Sequence, residues 1–581
     1  MKTEIKHKII DNYFKKSLKY HVPNFEIIYK AFSTIQKKSK NYCKIKFLRE
    51  NFFCYRYNFD IENFLMIIYD IQSNKLEKID DKIRLFIKLN PNFKLAILLL
   101  VRVNLTLNFF KIQENEIKYA LKYFPEDAFL NNSYGNYLSL ISGNKKKGQK
   151  FLKKSIVIEP YNEEYLIDLA LNSFTIGKVG PSKRFLIRAF KLLGNKNNII
   201  IEDLKFDNLK NILIILKHHK NKNKLVILSV LLVCMIFEYY GKFSDTIKIN
   251  TFACQLFTDI KELKFKLGIN YLNIGKNSCG FKLIYEANID NRIGHKTPLP
   301  IYQGNIPRLS KKDIPFLNKS HILVWLEQGF GDHIHFARYI NILKKKAKKI
   351  SVIGPSSIIE LFKYSPDFTD IIFLSKLKID NYCFQTYLFD LPYLLNSSRE
   401  KIKSFTLSIE KLRKNKKNLL EKISHSTLIN KKKIGIFFEG SKNHLHNHYR
   451  SIPIKQFSNI FNTSENQFFL LEKNINAADT EAINLHTNII NCNGYIKDWS
   501  DTACIVSELD LIITCDSSLA HLGGCMNIPT IILLNEVCDW RWGKRGRKSN
   551  LYSSVTIMRK KKEDEWHKML EKVNLNQLIS T

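Results

Sequence analysis

Several things are missing from this chain of 581 residues, and each absence narrows what it can be. Its 11 cysteines are scattered and include no Cys-x-x-Cys pair, so neither a zinc ribbon nor a disulfide framework is indicated; reduced thiols and a cytoplasmic setting are expected. The longest apolar run, Leu225 to Phe237, is too short for a bilayer, which takes about 20 residues, so no membrane span is expected. The opening "MKTEIKHKIIDNYF" has no apolar core before a small-residue cleavage site, and no secretory leader is expected. Acids are scarce: 54 Asp and Glu face 92 Lys and Arg, a net charge of +38. Such charge suits nucleic acid, anionic lipid or an acidic substrate. The excess is mostly lysine, spread among Asn and Ile along the whole chain rather than clustered, which fits compositional drift better than a nucleic-acid partner. With 45% hydrophobic and 12% aromatic residues the chain has ample material for packed cores, and its length suggests two to four domains.

The first half repeats. Pro91, Pro125 and Pro160, spaced by 34 and 35 residues, each open an apolar-periodic helix. In the latter two units a glycine-containing turn ("SGNKKKGQK", "TIGKVGPSKR") leads to a second helix. Proline ends one unit and admits the next. Gly135 and Ala189 are small where paired helices must approach. The pattern resembles the tetratricopeptide repeat, best between Pro91 and Gly194 and more weakly from Leu225 to Ala287. A stack of such hairpins implies a surface for a peptide or protein, or a scaffold for a homo-oligomer or for the domain that follows. Gly280, Tyr285 and Glu286, with Phe281 in place of a Trp, resemble the helix end that joins such repeats to a glycosyltransferase-like domain. The four-proline stretch after it reads as a boundary.

From His321 the pattern becomes alternating strand and helix, interrupted by the lysine-rich stretch "KLRKNKKNLLEKISHSTLINKKK". Alternation of this kind builds parallel sheets, and the break divides them into two. The expected fold class is therefore α + α/β: an all-α tetratricopeptide-like solenoid over residues 1–290, a linker at 291–320, a first Rossmann-like half at 321–415, a linker at 416–433, and a second half at 434–581 with a C-terminal helix. Ligands of such sheets sit at the carboxyl ends of the strands. Two facing sheets suggest the two-domain GT-B architecture.

Three strand ends carry candidate chemistry. In "WLEQGFGDHIHFARY", Gly331, Asp332, His333 and His335 follow a strand and enter a helix. Asp332 is either a helix cap or a base. In "DLIITCDSSLAHLGG", Asp516, Ser517, Ser518, His521 and Gly523 lie at a strand-to-helix junction, where free N–H groups and positive partial charge suit a diphosphate. An ordinary N-cap explains "DSS" equally well. "CDWRWGKRGRKSNLY" places Trp540, Arg541, Arg545 and Arg547 in a loop fit to stack a ring and pair with phosphate, and "GSKNHLHNHYRSIP" brings three histidines and Arg450 toward the same cleft. The His444, His446 and His448 spacing is too loose to define a metal site, and none is expected.

These segments, in this order, resemble the tetratricopeptide-repeat glycosyltransferases, whose catalytic half is similar to the heptosyltransferases of lipopolysaccharide synthesis. The resemblance covers Tyr271 to Arg559, with the repeats before it. It implies a nucleotide-sugar donor and no cofactor. Asp332 would be the general base, Asp516 would hold sugar hydroxyls, Ser517, Ser518, His521, Gly523, Trp540 and Arg541 would surround the nucleotide, and Arg450 would neutralise the leaving group. Gly331, His333 and His335 would lie on the acceptor side. The acceptor is a protein hydroxyl or amide held by the repeats, or a glycan; a protein-binding repeat scaffold without activity is the third possibility. The sequence departs from the family pattern at Glu439 and Glu472, two acids near the diphosphate position whose pairing with Arg450 or Arg541 would decide whether a donor is tolerated.

Overall fold

The computed structural model describes residues 79–89, 114–195, 200–219, 222–287, 306–377, 380–396, 402–424, 430–441, 444–463, 465–473, 477–561 and 564–573, with a few isolated positions besides. The chain divides into two compact units, Met1–Ser173 and Phe174–Thr581.

The first unit is helical where described: α1 (Ile79–Leu89), α2 (Glu114–Tyr123), α3 (Ala128–Asn136), α4 (Lys145–Ile158) and α5 (Glu163–Thr175), the last of which runs on into the second unit. Most of the unit expected at Pro91 lies outside the described residues. Asp127 caps α3 by accepting the Leu130 N–H at 2.8 Å. Helices α3 and α4 cross on two glycines: a Cβ on Gly148 would stand 2.6 Å from the Gly135 carbonyl oxygen.

Among the described residues the second unit begins with six helices: α6 (Val179–Asn195), α7 (Phe206–Leu216), α8 (Lys222–Tyr239), α9 (Phe243–Leu256), α10 (Lys261–Asn273) and α11 (Asn277–Ala287). The glycine crossing recurs between α10 and α11, where a Cβ on Gly268 or Gly280 would lie 2.8 Å from the other's carbonyl. The 34-residue spacing is visible in the backbone too. Gly143 and Gly177 form one such pair and Gly241 and Gly275 another, all at helix-to-helix turns with φ between 70° and 84°. The apolar run of the sequence is the interior of α8, and no described helix is long and apolar enough to cross a membrane. Its one buried acid, Glu238, receives Lys266 at 2.9 Å.

Two parallel sheets follow. The first holds β1 (His321–Trp325), β2 (Lys349–Ile353), β3 (Ile371–Leu374) and β4 (Phe384–Tyr387) in the order β3-β2-β1-β4. The second holds β5 (Lys432–Phe437), β6 (Asn466–Leu470), β7 (Ile489–Asn491), β8 (Leu511–Cys515), β9 (Thr530–Asn535) and β10 (Val555–Lys560) in the order β10-β9-β8-β5-β6-β7. Every pairing between these strands is parallel. The order reverses between β1 and β4 in one sheet and between β5 and β8 in the other. Connections leave opposite faces at such points, and a crevice opens there. The candidate turns follow β1, β5 and β8.

Where they are described, the expected linkers carry structure. In the lysine-rich stretch, Ile409–Asn415 and Lys417–Ser424 are helices, so most of the described part of 416–433 is not extended linker. Their lysines stand in solvent while Leu412 and Ile423 are buried, and Lys416 pairs with Asp501 at 2.6 Å. Of the expected linker 291–320, residues 291–305 lie outside the described residues. The remainder docks on the first sheet: Arg308 bridges to Gln385 and pairs with the buried Asp390 at 2.8 Å. One apolar core runs from Leu272, Phe281 and Ile284 through both sheets.

Candidate active site

The turn after β1 is fixed from beneath. Glu327 is buried and its carboxylate accepts the Leu388 N–H at 3.1 Å and the Phe389 N–H at 3.0 Å. Helix α12 (Phe330–Phe336) begins after Gly329 and is followed by α13 (Arg338–Lys344). Asp332 does cap this helix, accepting the Gly329 N–H at 3.1 Å through Oδ2. Its Oδ1 is engaged by the Arg541 guanidinium. Asp332 thus caps the helix with one oxygen and meets the second sheet with the other.

Helix α14 (Ser518–Cys525) starts at the end of β8. Ser517 is its N-cap: Oγ accepts the Leu519 N–H at 3.2 Å and lies 2.8 Å from the Thr514 hydroxyl. The starts of α12 and α14 abut. A Cβ on Gly331 would stand 3.4 Å from Ser518 Cα and 3.1 Å from the His521 ring, so only glycine permits this approach without the ring giving way. Asp516 accepts the Trp542 indole N–H at 2.8 Å. Desolvation raises its pKa first, and the Asp539 charge adds to this against the opposing pull of Arg450, the Trp542 N–H and Arg541.

Arg541 joins the two sheets. It pairs with Asp332 on one side and with Asp539 at 2.8 Å on the other, and it lies 4.6 Å over the Trp540 ring. Burial works against its charge, but Asp332 and Asp539 outweigh it, and its pKa rises. Asp539 was not among the residues singled out from the sequence. The signal was an acid two places before an arginine at a strand end, the distance at which an Asx turn lets the acid accept the arginine's own N–H, here at 3.0 Å. Trp540 is partly buried and meets Phe281 of α11 edge-on at 5.8 Å. Arg545 and Arg547 are exposed.

Arg450 ends the short helix Asn447–Arg450 and lies across Gly440: a Cβ there would stand 2.5 Å from its Nε. Among the described residues no side chain or carbonyl partners this guanidinium, although its Nε is buried and its field reaches Asp516.

Other expected positions fall elsewhere. The histidines of "GSKNHLHNHYRSIP" do not gather in the cleft: His446 and His448 pack edge-on against Phe174 at 5.7 and 5.5 Å, because the helical layer offers an aromatic face at that point. No metal-ligating cluster forms among the described residues. Gly523 does not meet the cleft either; a Cβ there would strike Thr530 at 2.5 Å and Ile512 at 2.8 Å, so its smallness serves helix-to-sheet packing. His521 is buried, stacked on Trp542 at 4.9 Å and hydrogen-bonded through Nδ1 to the Tyr552 hydroxyl at 3.0 Å. His335 lies 5.4 Å from it. Burial first, and then the charges of Arg338 and Arg541, hold both histidines neutral. His333 is buried as well, beside Phe330. Glu472 pairs with neither arginine. It is buried, accepts the Phe438 N–H, and desolvation pushes its pKa to about 8, so at neutral pH it carries little charge to repel an anion.

Comparison with known proteins adds little to this geometry. No family profile matches the chain, and no curated protein does. Among solved structures, a glycosyl transferase family 9 protein from Veillonella parvula is similar at 11% identity, covering 46% of this chain and 99% of its own, with a TM-score of 0.35. The E. coli ADP-heptose lipopolysaccharide heptosyltransferase II is similar at 14% identity, over 45% of this chain and 98% of its own, again at 0.35. A Thermobaculum terrenum O-GlcNAc transferase spans 78% of this chain and 91% of its own, at 10% identity and a TM-score of 0.28.

Proposed function

We propose that the chain is a glycosyltransferase of GT-B type that moves a sugar from a nucleotide-sugar to an acceptor, a protein hydroxyl or amide held by the helical repeats. The observation that carries this is the contact of Gly331 with Ser518, which sets the Asp332 turn and the Asp516 turn face to face at the crevices of two parallel sheets, with Arg450 and Arg541 beside them. In this reading the diphosphate lies at the start of α14, where the helix carries positive partial charge. Arg450, with no carboxylate of its own, and Arg541 draw the negative charge that develops on the leaving diphosphate. Asp516 accepts hydroxyls of the sugar. Asp332 takes the proton of the acceptor hydroxyl as its oxygen bonds to the anomeric carbon and the bond to the diphosphate oxygen breaks. Positive charge at the leaving group comes from side chains and helix start, so the reading calls for no cofactor. Burial of Glu472, which pushes its pKa to about 8, supports tolerance of an anionic donor.

Trp540 and Trp542 flank the site, so intrinsic fluorescence reports on it. Titration with UDP, ADP, GDP and CMP should show saturable binding of one nucleotide, weakened in Asp516→Ala. A folded protein that binds none of them would refute the transferase reading and leave the helical repeats as the working part.

A further inference from the structure

Four described residues other than glycine have positive φ: Gln328, Asn396, Asn430 and Asn527. Three are asparagine, whose short amide bonds to its own backbone and tolerates this region. Gln328, at φ 71°, has no such excuse. It sits in the turn after β1, between the buried Glu327 and Gly329, in a stretch where glycine is already used twice. Glycine at 328 would relieve the backbone. A second cost falls on the same residue: its amide Nε2 is buried and has no hydrogen-bond partner. Buried donors are nearly always satisfied, and an orphan calls for an explanation. The turn has little freedom to relax, because Glu327 is tied to the Leu388 and Phe389 N–H groups. Strain held in place by its surroundings, together with an unspent donor, is the pattern found at ligand clamps.

The position says which ligand. Gly329 donates to the Asp332 carboxylate, so Gln328 adjoins the residue that holds the group read above as the base. Three residues on, Gly331 touches Ser518, next to Asp516 and the start of α14. A sugar held by Asp516 lies between these two turns. Building on the transferase reading, we propose that Gln328 is a sugar-contacting residue whose amide N–H donates to a hydroxyl oxygen of the transferred sugar. It is retained against its own backbone preference for that bond. The nucleotide and diphosphate, held at the second sheet, do not depend on it.

Two variants separate the possibilities. Gln328→Gly removes the amide and the strain; Gln328→Glu keeps the shape and removes the donor. Wild type and both variants are titrated with UDP and UDP-N-acetylglucosamine, ADP and ADP-glucose, and GDP and GDP-mannose, and their melting temperatures are compared. Affinity for the bare diphosphate should stay unchanged in both variants. Affinity for the matching nucleotide-sugar, relative to its diphosphate, should fall about tenfold in both. Gln328→Gly should melt above the wild type, by about 2 °C. An unchanged ratio of nucleotide-sugar to diphosphate affinity, with the diphosphate still bound, overturns the role of Gln328 alone. A Gln328→Gly protein that melts below the wild type overturns the strain argument on which it stands. A wild type that binds no nucleotide removes this proposal and the transferase reading together.

Discussion

The turn after β1 and the turn after β8 follow one plan: a buried parallel strand, a short turn with an aspartate, and a helix. They hold their aspartates differently. Asp332 comes three residues into its helix region, caps it with one oxygen and shares the other with Arg541, and its side chain is 22% exposed. Asp516 comes before its helix, whose capping is left to Ser517, and it takes the Trp542 N–H in surroundings that raise its pKa. The same local chemistry yields one acid tethered by charge near solvent and another anchored by an aromatic donor under desolvation. The first arrangement suits a group that must be exchanged during a reaction; the second suits a fixed hydrogen-bond acceptor.

Changes at each turn should therefore have different signatures. The largest effect belongs to Asp332→Asn, which keeps an acceptor for Gly329 but loses the carboxylate proposed as the base. Transfer measured with the nucleotide-sugar found by titration should fall about 10²- to 10⁴-fold, with nucleotide affinity little changed. If nucleotide affinity collapses as well, the two turns are not separate in function. Next comes Arg541→Ala, which strips both Asp332 and Asp539 of their partner. Urea unfolding should show a loss of about 3 kcal/mol, and nucleotide binding should weaken in the same variant. Trp542→Phe is milder: the ring still stacks on His521, but Asp516 loses its donor, at a cost of about 1–2 kcal/mol in the same measurement. If this change outweighs Arg541→Ala, the contrast between the turns is reversed.

The smallest effect compares the two buried glutamates beyond the strand ends. Glu327 takes two backbone N–H groups, whereas Glu472 has one unpartnered oxygen and a pKa pushed up to about 8. A carboxyl raised on folding holds its proton longer in the native state, so it costs stability as pH climbs from the ordinary glutamate range toward 8. The buried histidines titrate with the opposite sign, losing stability as pH falls through the normal histidine range, so they are quiet above neutrality. From pH 7 to 8 the wild type should lose about 1 kcal/mol that Glu472→Gln keeps, read from urea midpoints at each pH.

The parallel sheets were readable in the sequence because short apolar runs alternate with helical periodicity and each ends in a turn residue. The same grammar located Asp332, Asp516 and Ser517, and the structure brings these together with Arg541. What could not be read depended on partners far along the chain. Gly523 looks like a ligand-facing glycine until Thr530 is seen 2.5 Å from where its Cβ would be. His446 and His448 look like cleft residues until Phe174 covers them. Glu472 looks like a charge until its burial is known. Lysine-rich residues 417–424 look like linker because their few apolar positions are outnumbered, yet Ile423 is buried, Leu419 and Leu420 pack against the core, and a helix forms.

Phe281 has a wider consequence. It belongs to α11, the last helix before the sheets, yet its ring touches Phe336 of the first sheet's helix at 6.1 Å, Phe389 at 5.7 Å and Trp540 of the second sheet's loop at 5.8 Å. A residue that sits at the meeting point of three elements makes them a single inheritance. Domains joined by a tether can be shuffled, swapped between relatives or expressed apart. Here, cutting the chain after Ala287 would unroof the aromatic bed on which Arg541 rests. Helix α11 and the two sheets must therefore change together, and an engineer who alters the helical region should do so upstream of α10 and leave the α10–α11 hairpin with the sheets.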